Sequence, residues 1–353
     1  MKAIFKVYPW KTAICQIAVI LFSLLLTGCY LNDEGPFAPY TDVRGSIMLK
    51  PAIDIKPNEA TLVGVLVPQH QETTFTFQYR LTYAELAWHD LPLAESFSGS
   101  DSIEVRLTID NLKAGSEYLV TAKGYNQAGV IISSNYISFI TPVADYDGNI
   151  YQVIRVNDQV WLQENFKGTH FANGDPIPNI TDSDVWGELT SPAYCWYNND
   201  PEIGKVYGGL YNFYAATDPR GLIVGFHTPS LSEWMSLSFS LGGDTVAGGK
   251  MKEAGCTHWN QPNNGATNRS EFTALPGGTY QNSNILDLPG FSYNYLRETA
   301  VFWSTTLFLG ETNIAYAPKL RENSEALKRN GGLDTRTGLS IRLVQDWQMP
   351  KKN

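Results

Sequence analysis

Cysteine is scarce in this chain of 353 residues: there are four, Cys15 lies in the N-terminal leader, Cys29 directly follows it, and only Cys195 and Cys256 remain in folded sequence. So few exclude a disulfide-rich scaffold and a cysteine-built metal set. Two cysteines 61 positions apart leave pairing open, because spacing does not set the Cα separation that a disulfide requires. Charge of one sign is nowhere concentrated. Charged residues make up 17% of the chain, and removing the three lysines of residues 1–28, which hold no acids, takes the formal net charge from -9 to -12. A scattered acidic surface repels nucleic acid and anionic membranes, so no nucleic-acid partner is expected. A membrane-length apolar run is also missing. The mostly apolar segment from Ala13 to Leu26 would be roughly 21 Å long as a helix, short of a hydrocarbon core of about 30 Å, and so reads as a secretory signal.

That segment is preceded by Lys2, Lys6 and Lys11 and ends in Leu26-Thr27-Gly28-Cys29. The four residues resemble the bacterial lipobox, which implies cleavage after residue 28 and acyl chains on Cys29. Each buried methylene contributes about 0.8 kcal/mol, so several chains hold a protein to a bilayer almost permanently. An ordinary cleaved signal with an incidental cysteine is the alternative. Residues 29–44 lack apolar periodicity and cluster Asn32, Asp33, Glu34, Gly35, Pro36 and Pro39, as a tether does. Asp33 and Glu34 resemble the acidic signal that routes some Bacteroidetes-type lipoproteins outward. The expectation is therefore an outer-membrane, surface-exposed lipoprotein whose membrane partner is reached through its lipid.

Without residues 1–28 the chain exceeds the size at which one core usually stops growing, so two domains are expected. Residues 45–142 read as short strands. Phe75, Phe77, Tyr79 and Leu81 alternate with Thr76, Gln78 and Arg80, and Ile103, Val105, Leu107 and Ile109 with Glu104, Arg106 and Thr108. Period two gives each strand one buried and one wet face. The run Leu112 to Tyr118, with its glycine turn at Gly115, resembles the tyrosine corner of fibronectin type III and immunoglobulin-like sandwiches, and Ala60 to Val65 looks like strand B of that class. Seven strands and a spacer role are expected.

Residues 143–347 differ in character, holding most of the nine tryptophans and most of the glycines, with 348–353 as a tail. Ile150 to Val156, a turn at Asn157-Asp158 and Val160 to Leu162 predict a hairpin. Ser230 and Glu233 predict a capping box, with Trp234, Leu237 and Leu241 on one helix face and Gly242-Gly243 as the stop. Most of the remainder is loop, which can be stable only if its aromatics supply the core.

Several runs here resemble the Fibrobacter succinogenes major paralogous domain. They include Asp147-Gly148-Asn149-Ile150-Tyr151, Trp161-Leu162-Gln163-Glu164-Asn165, Tyr207-Gly208-Gly209-Leu210-Tyr211-Asn212 and Gly225-Phe226-His227-Thr228-Pro229. Gly265-Ala266-Thr267-Asn268, Phe272 to Gly278, Phe302 to Thr306 and Ser340-Ile341-Arg342-Leu343-Val344 continue the series. The resemblance implies a C-type lectin-like fold closed by two terminal strands, with one or two helices and long loops, and brings no known activity. The whole is thus expected to be multidomain: an all-β fibronectin or immunoglobulin-like sandwich followed by an α+β C-type lectin-like domain. Members usually carry cysteines where this chain has about Leu222 and Leu343. The resemblance therefore implies that an apolar contact has replaced a disulfide.

No catalytic constellation emerges. The related formylglycine-generating enzymes need a cysteine pair near the C-terminus, and no cysteine follows Cys256. His227 and His258 lack an accompanying nucleophile elbow and read as structural. Glu164 and Asn165 read as partners of loop backbone. Asp182, Asp184 and Asn263 are candidate calcium ligands, Asn263 through a Gln261-Pro262-Asn263 run that resembles the calcium and sugar loop of classical C-type lectins. Asn173-Gly174-Asp175 and Asn198-Asn199-Asp200 are further oxygen-rich turns, which more often bond their own backbone. Otherwise no cofactor is expected. Trp186, Trp196, Trp259, Tyr280 and Tyr293, with Asn263, are candidate ligand contacts, since aromatic faces beside amides suit sugars or protein partners; the alternative is that they fill a loop-rich core. Trp161, Trp234 and Trp303 are assigned to that core. The expected function is non-catalytic binding of a glycan or a surface protein, as in adhesion. A structural role in a surface assembly and an enzyme of unknown type are the alternatives.

Overall fold

The computed structural model describes residues 3–7, 44–82, 86–283, 290–329 and 331–346, and Cys29, the tether acids Asp33 and Glu34, most of the leader and the tail lie outside them. The chain divides into two compact units, Met1–Ile55 with Glu59–Asn111 and Glu117–Phe139, and Ile140–Asn353 with Lys56–Asn58 and Leu112–Ser116.

In the first unit, alternating apolar side chains build two antiparallel sheets. One orders Ser46–Ile53, Ala60–Val67 and Ile103–Ile109, with the backbone of Ala3–Val7 paired to the outer edge of the last. The other orders His89–Phe97, Thr73–Leu81 and Glu117–Asn126, and the final strand is broken into Gly129–Ile132 and Ile137–Ile140, both paired to Glu117–Asn126. Phe75, Phe77, Val105, Leu107 and Ile109 are buried as period two requires. Leu112 and Tyr118, the corner residues, are buried too, and Tyr118 stacks on Phe139 with centroids 5.6 Å apart. Glu104 departs from the expected wet face. It is buried between Lys50 and Arg106, each 2.6 Å from its carboxylate, and the hydrogen bonds from Lys50 and then Arg106 hold its pKa below the usual range. The long stems of the two cations cover it.

The second unit is organised by a three-stranded antiparallel sheet of Val153–Val156, Gln159–Leu162 and Val344–Asp346. The predicted two-residue turn at Asn157-Asp158 is present, with Asn157 in the left-handed region that asparagine tolerates. The expected first strand is split, because Ile150–Tyr151 pair with Val143–Ala144 instead. Both faces of the central sheet are buried, in two separate cores. Val153, Val160, Leu162 and Leu343 enter one core, while Ile154, Trp161 and Val344 enter the other. The alternation that would give one wet face therefore sorts side chains between two dry ones. Trp161 packs on Trp234 at 4.9 Å and on Phe272 at 5.8 Å between ring centroids, and Trp303 lies in the opposite core.

Among the described residues this unit also holds five short α-helices: α1 (Ser183–Gly187), α2 (Pro201–Tyr207), α3 (Phe213–Ala216), α4 (Leu231–Ser240) and α5 (Asp244–Met251). None is long enough to persist alone. Asp182, Asp200, Asn212 and Ser230 each cap one of the first four through a side-chain oxygen. The capping box of α4 has both reciprocal bonds, and Trp234 and Leu237 face the core. Gly208 ends α2 at φ 81, where an added Cβ would stand 2.7 Å from the Phe166 carbonyl oxygen, so a side chain is excluded twice over.

Candidate functional site

The loop aromatics point inward. Trp186, Trp259 and Tyr280 are buried, so their faces cannot stack on a ligand. The Trp186 indole donates to the Arg336 carbonyl at 2.6 Å, and Tyr280 meets Trp186 edge-on and Tyr293 face-on at 4.4 Å. The Trp259 indole donates to the Ala274 carbonyl at 2.9 Å. Trp196 is half-buried against Tyr194 and lies over α2 where Gly204 leaves room. The physical reason is the one the composition contains: loops that hold little regular structure can bury apolar area only through their largest side chains.

The oxygen-rich turns are also spent internally. Asp182 caps α1 through the amides of Asp184 and Val185, Asp175 pairs with Arg220 at 3.0 Å, and Asp200 caps α2. Asn263 is buried; its amide nitrogen donates to the carbonyls of Glu253 and Gly255, whereas its Oδ1 has no hydrogen-bond partner among the described residues. Among the described residues no group of three or more His, Cys, Asp or Glu could hold a metal ion. Cys195 is buried and Cys256 exposed, and both are free. Glu164 pairs with Lys167 at 3.1 Å rather than with backbone, whereas Asn165 does bond backbone, donating to Tyr207 and Leu275.

A hollow of about 690 Å³ lies beside the start of α4. Leu222, Phe226 and Leu343 form its apolar floor, and Asp218, His227 and Glu233 stand on its wall. Leu222 and Leu343 are both buried in one core cluster and line the same hollow, consistent with an apolar contact at the place of the missing cysteines. The wall is a chain of hydrogen bonds. His227 Nε2 meets Glu233 Oε1 at 2.6 Å, and Glu233 Oε2 accepts from the Ser230 amide and hydroxyl, each at 2.7 Å. Burial raises the Glu233 pKa, but the bonds from His227 and Ser230 outweigh it and leave the carboxyl below its ordinary value. A carboxylate thus stands between the imidazole and the hydroxyl. A serine nucleophile needs the imidazole next to it, with the carboxylate behind. This order is wrong for that chemistry and right for fixing a helix start.

Two buried cations escaped the sequence reading. Arg342 donates to Asn165 Oδ1 and to the carbonyls of Leu162, Phe272 and Thr273. Lys252 donates to the carbonyls of Asn264, Arg321 and Ser324. Neither has a sequence signal beyond a charge in an apolar setting, such as Ile341-Arg342-Leu343.

Residues 154–345 match the family described as the Fibrobacter succinogenes major domain. No curated protein matches the chain. Solved structures similar to part of it are fibronectin type III-like. A fibronectin type III domain from human KIAA0970 is 12% identical, with 28% of this chain and 74% of that one covered at a TM-score of 0.21. The third fibronectin III domain of human KIAA0343 is 10% identical, with 31% and 93% covered at 0.20. The sensor domain of the anti-sigma factor RsgI4 of Pseudobacteroides cellulosolvens is 20% identical, with 28% and 88% covered at 0.22.

Proposed function

The chain belongs to the Fibrobacter succinogenes major domain family, and from that premise we propose that it is a cell-envelope lipoprotein whose second unit binds a glycan or protein without catalysis. Its leader and Cys29 supply the anchor in the outer membrane, the sandwich is a spacer, and the family domain is a C-type lectin-like head. Two features support that likeness: the strand pairing that joins Gln159–Trp161 to Val344–Asp346, and the loops between them. The observation that carries the binding role is the hollow beside α4, with an apolar floor and a polar wall whose His227, Glu233 and Ser230 bond one another instead of forming a nucleophile and base.

A glycan array and an envelope pull-down with a soluble form starting after Cys29, with and without calcium, test the reading. Retention of a ligand regardless of calcium is the expected result. Failure to bind anything, together with loss of a surface assembly in a deletion strain, would favour a structural subunit. Met235 and Phe239, one turn apart on α4 and both exposed, are the observation that keeps this second reading in view.

A further inference from the structure

A second cavity, of about 380 Å³, opens on the small sheet made by Thr299–Val301 and Lys319–Arg321. Pleating explains what lines it. Ala300 and Leu320 turn into the tryptophan-rich core, so Thr299, Val301, Lys319 and Arg321 stand on the other face. The antiparallel register sets Lys319 opposite Val301 and Arg321 opposite Thr299. Thr279 and Gln281, two apart on the neighbouring strand, form another wall.

Three observations mark this cavity as a site rather than a gap. Lys319 and Arg321 have no side-chain hydrogen bond or ion pair among the described residues, although Lys319 is half-buried. Burial, then the neighbouring cations Arg321 and Lys328, lower the Lys319 pKa, as expected where positive charge gathers without a bonded anion. The Thr279 hydroxyl is buried, with its residue 2% exposed, and has no hydrogen-bond partner. Buried polar groups in native structures almost always have one, so an orphan on a cavity wall points to something that fills the cavity.

We propose that this cavity holds a uronic acid residue of an acidic glycan, with its carboxylate on Lys319 and Arg321. The assignment rests on the binding role above and names its ligand class. Arginine and lysine together suit a carboxylate. Glu298 and Glu322 also line the cavity, and as acceptors they can take hydrogen bonds from the hydroxyls that an acidic sugar carries beside its carboxylate. Thr279 and Gln281 can do the same. Tyr295, half exposed at the cavity, offers a ring face to the apolar side of a pyranose.

The test is calorimetry on the full-length chain in detergent with digalacturonate, the neutral disaccharide maltose and inorganic phosphate as probes. Digalacturonate should bind at least about tenfold more tightly than maltose or phosphate, and weaken with added salt. Lys319→Met should lose about tenfold or more of that affinity, and Thr279→Val about threefold, with unfolding curves unchanged. Arg321→Gln, on an exposed side chain, serves in place of Lys319→Met if the latter fails to fold. Equal binding of maltose or phosphate, undiminished binding in folded Lys319→Met, or no binding of digalacturonate would each overturn the assignment. If digalacturonate fails while another glycan or an envelope protein is retained, the binding role stands and this ligand class falls.

Discussion

Arg342 shows how much a single residue can hold in a loop-built domain. Its guanidinium is wholly buried, stacks on Phe272 at 4.3 Å and gathers three backbone carbonyls and Asn165 Oδ1 from two separate segments. Burial pushes its pKa down to about 9, opposed by the nearby charge of Glu164, and among the described residues no carboxylate bonds it directly; the acceptors help keep the charge tolerable. Arg342→Met should therefore leave several buried acceptors unpaired and cost roughly 3 to 5 kcal/mol, read as a lower urea midpoint. Arg342→Lys should recover little, because a lysine lacks the planar fork that reaches four acceptors. Cysteine gives a second prediction at this scale. Burial pushes the Cys195 thiol up to about 12, whereas Cys256 is exposed. Iodoacetamide at neutral pH should label Cys256 in the native protein and Cys195 only after unfolding, by peptide mass. Labelling of neither would mean that they pair after all. Residue identity made Trp161 and Trp234 legible as core because they sit on regular elements; Trp303 is buried as expected but lies just past Thr299–Val301, outside a strand. Identity left Trp186, Trp259 and Tyr280 open between ligand contact and core, since a loop sequence carries no periodicity to say which way a ring points, and burial decides for the core.

At the scale of elements, local rules were readable wherever the signal is local. The capping box of α4 is one such case, since Ser230 and Glu233 need only be three apart to satisfy each other's amides. Ser230→Ala should cost about 1 kcal/mol. The Glu233 carboxyl has a folded pKa below its unfolded value of about 4.3. Its contribution is therefore complete above that value and is lost as pH falls through the lower folded pKa. Thermal melts between pH 7 and pH 3 should show a smaller acid loss in Glu233→Gln than in the parent, and identical acid losses would refute this role. The short strands were not readable. Lys319-Leu320-Arg321 alternates as a strand should, but three residues do not establish a period, and only pairing with Thr299–Val301 makes them one.

For the whole molecule, the chain divides into two compact units, the second taking in Lys56–Asn58 and Leu112–Ser116 besides Ile140–Asn353, and among the described residues no helix is long and apolar enough to cross a membrane. The proposed anchoring by Cys29 gives the prediction at this scale. Cys29→Ser should abolish acylation and shift the protein from the detergent phase to the aqueous phase of a Triton X-114 partition. Detergent-phase recovery of that variant would show another means of attachment. Cleavage before Cys29 would also remove Ala3–Val7 and leave the outer edge of Ile103–Ile109 unpaired.

The sequence by itself determined the strand periodicity of the sandwich, the helix start at Ser230 and the series of runs that marks the family, because each depends on residues close together in the chain. Only the tertiary structure decided which aromatics are buried, which acids are spent on caps, and where Thr279, Lys319 and Arg321 meet. Those outcomes depend on contacts between segments tens of residues apart, and in a domain with little regular structure no local pattern encodes them.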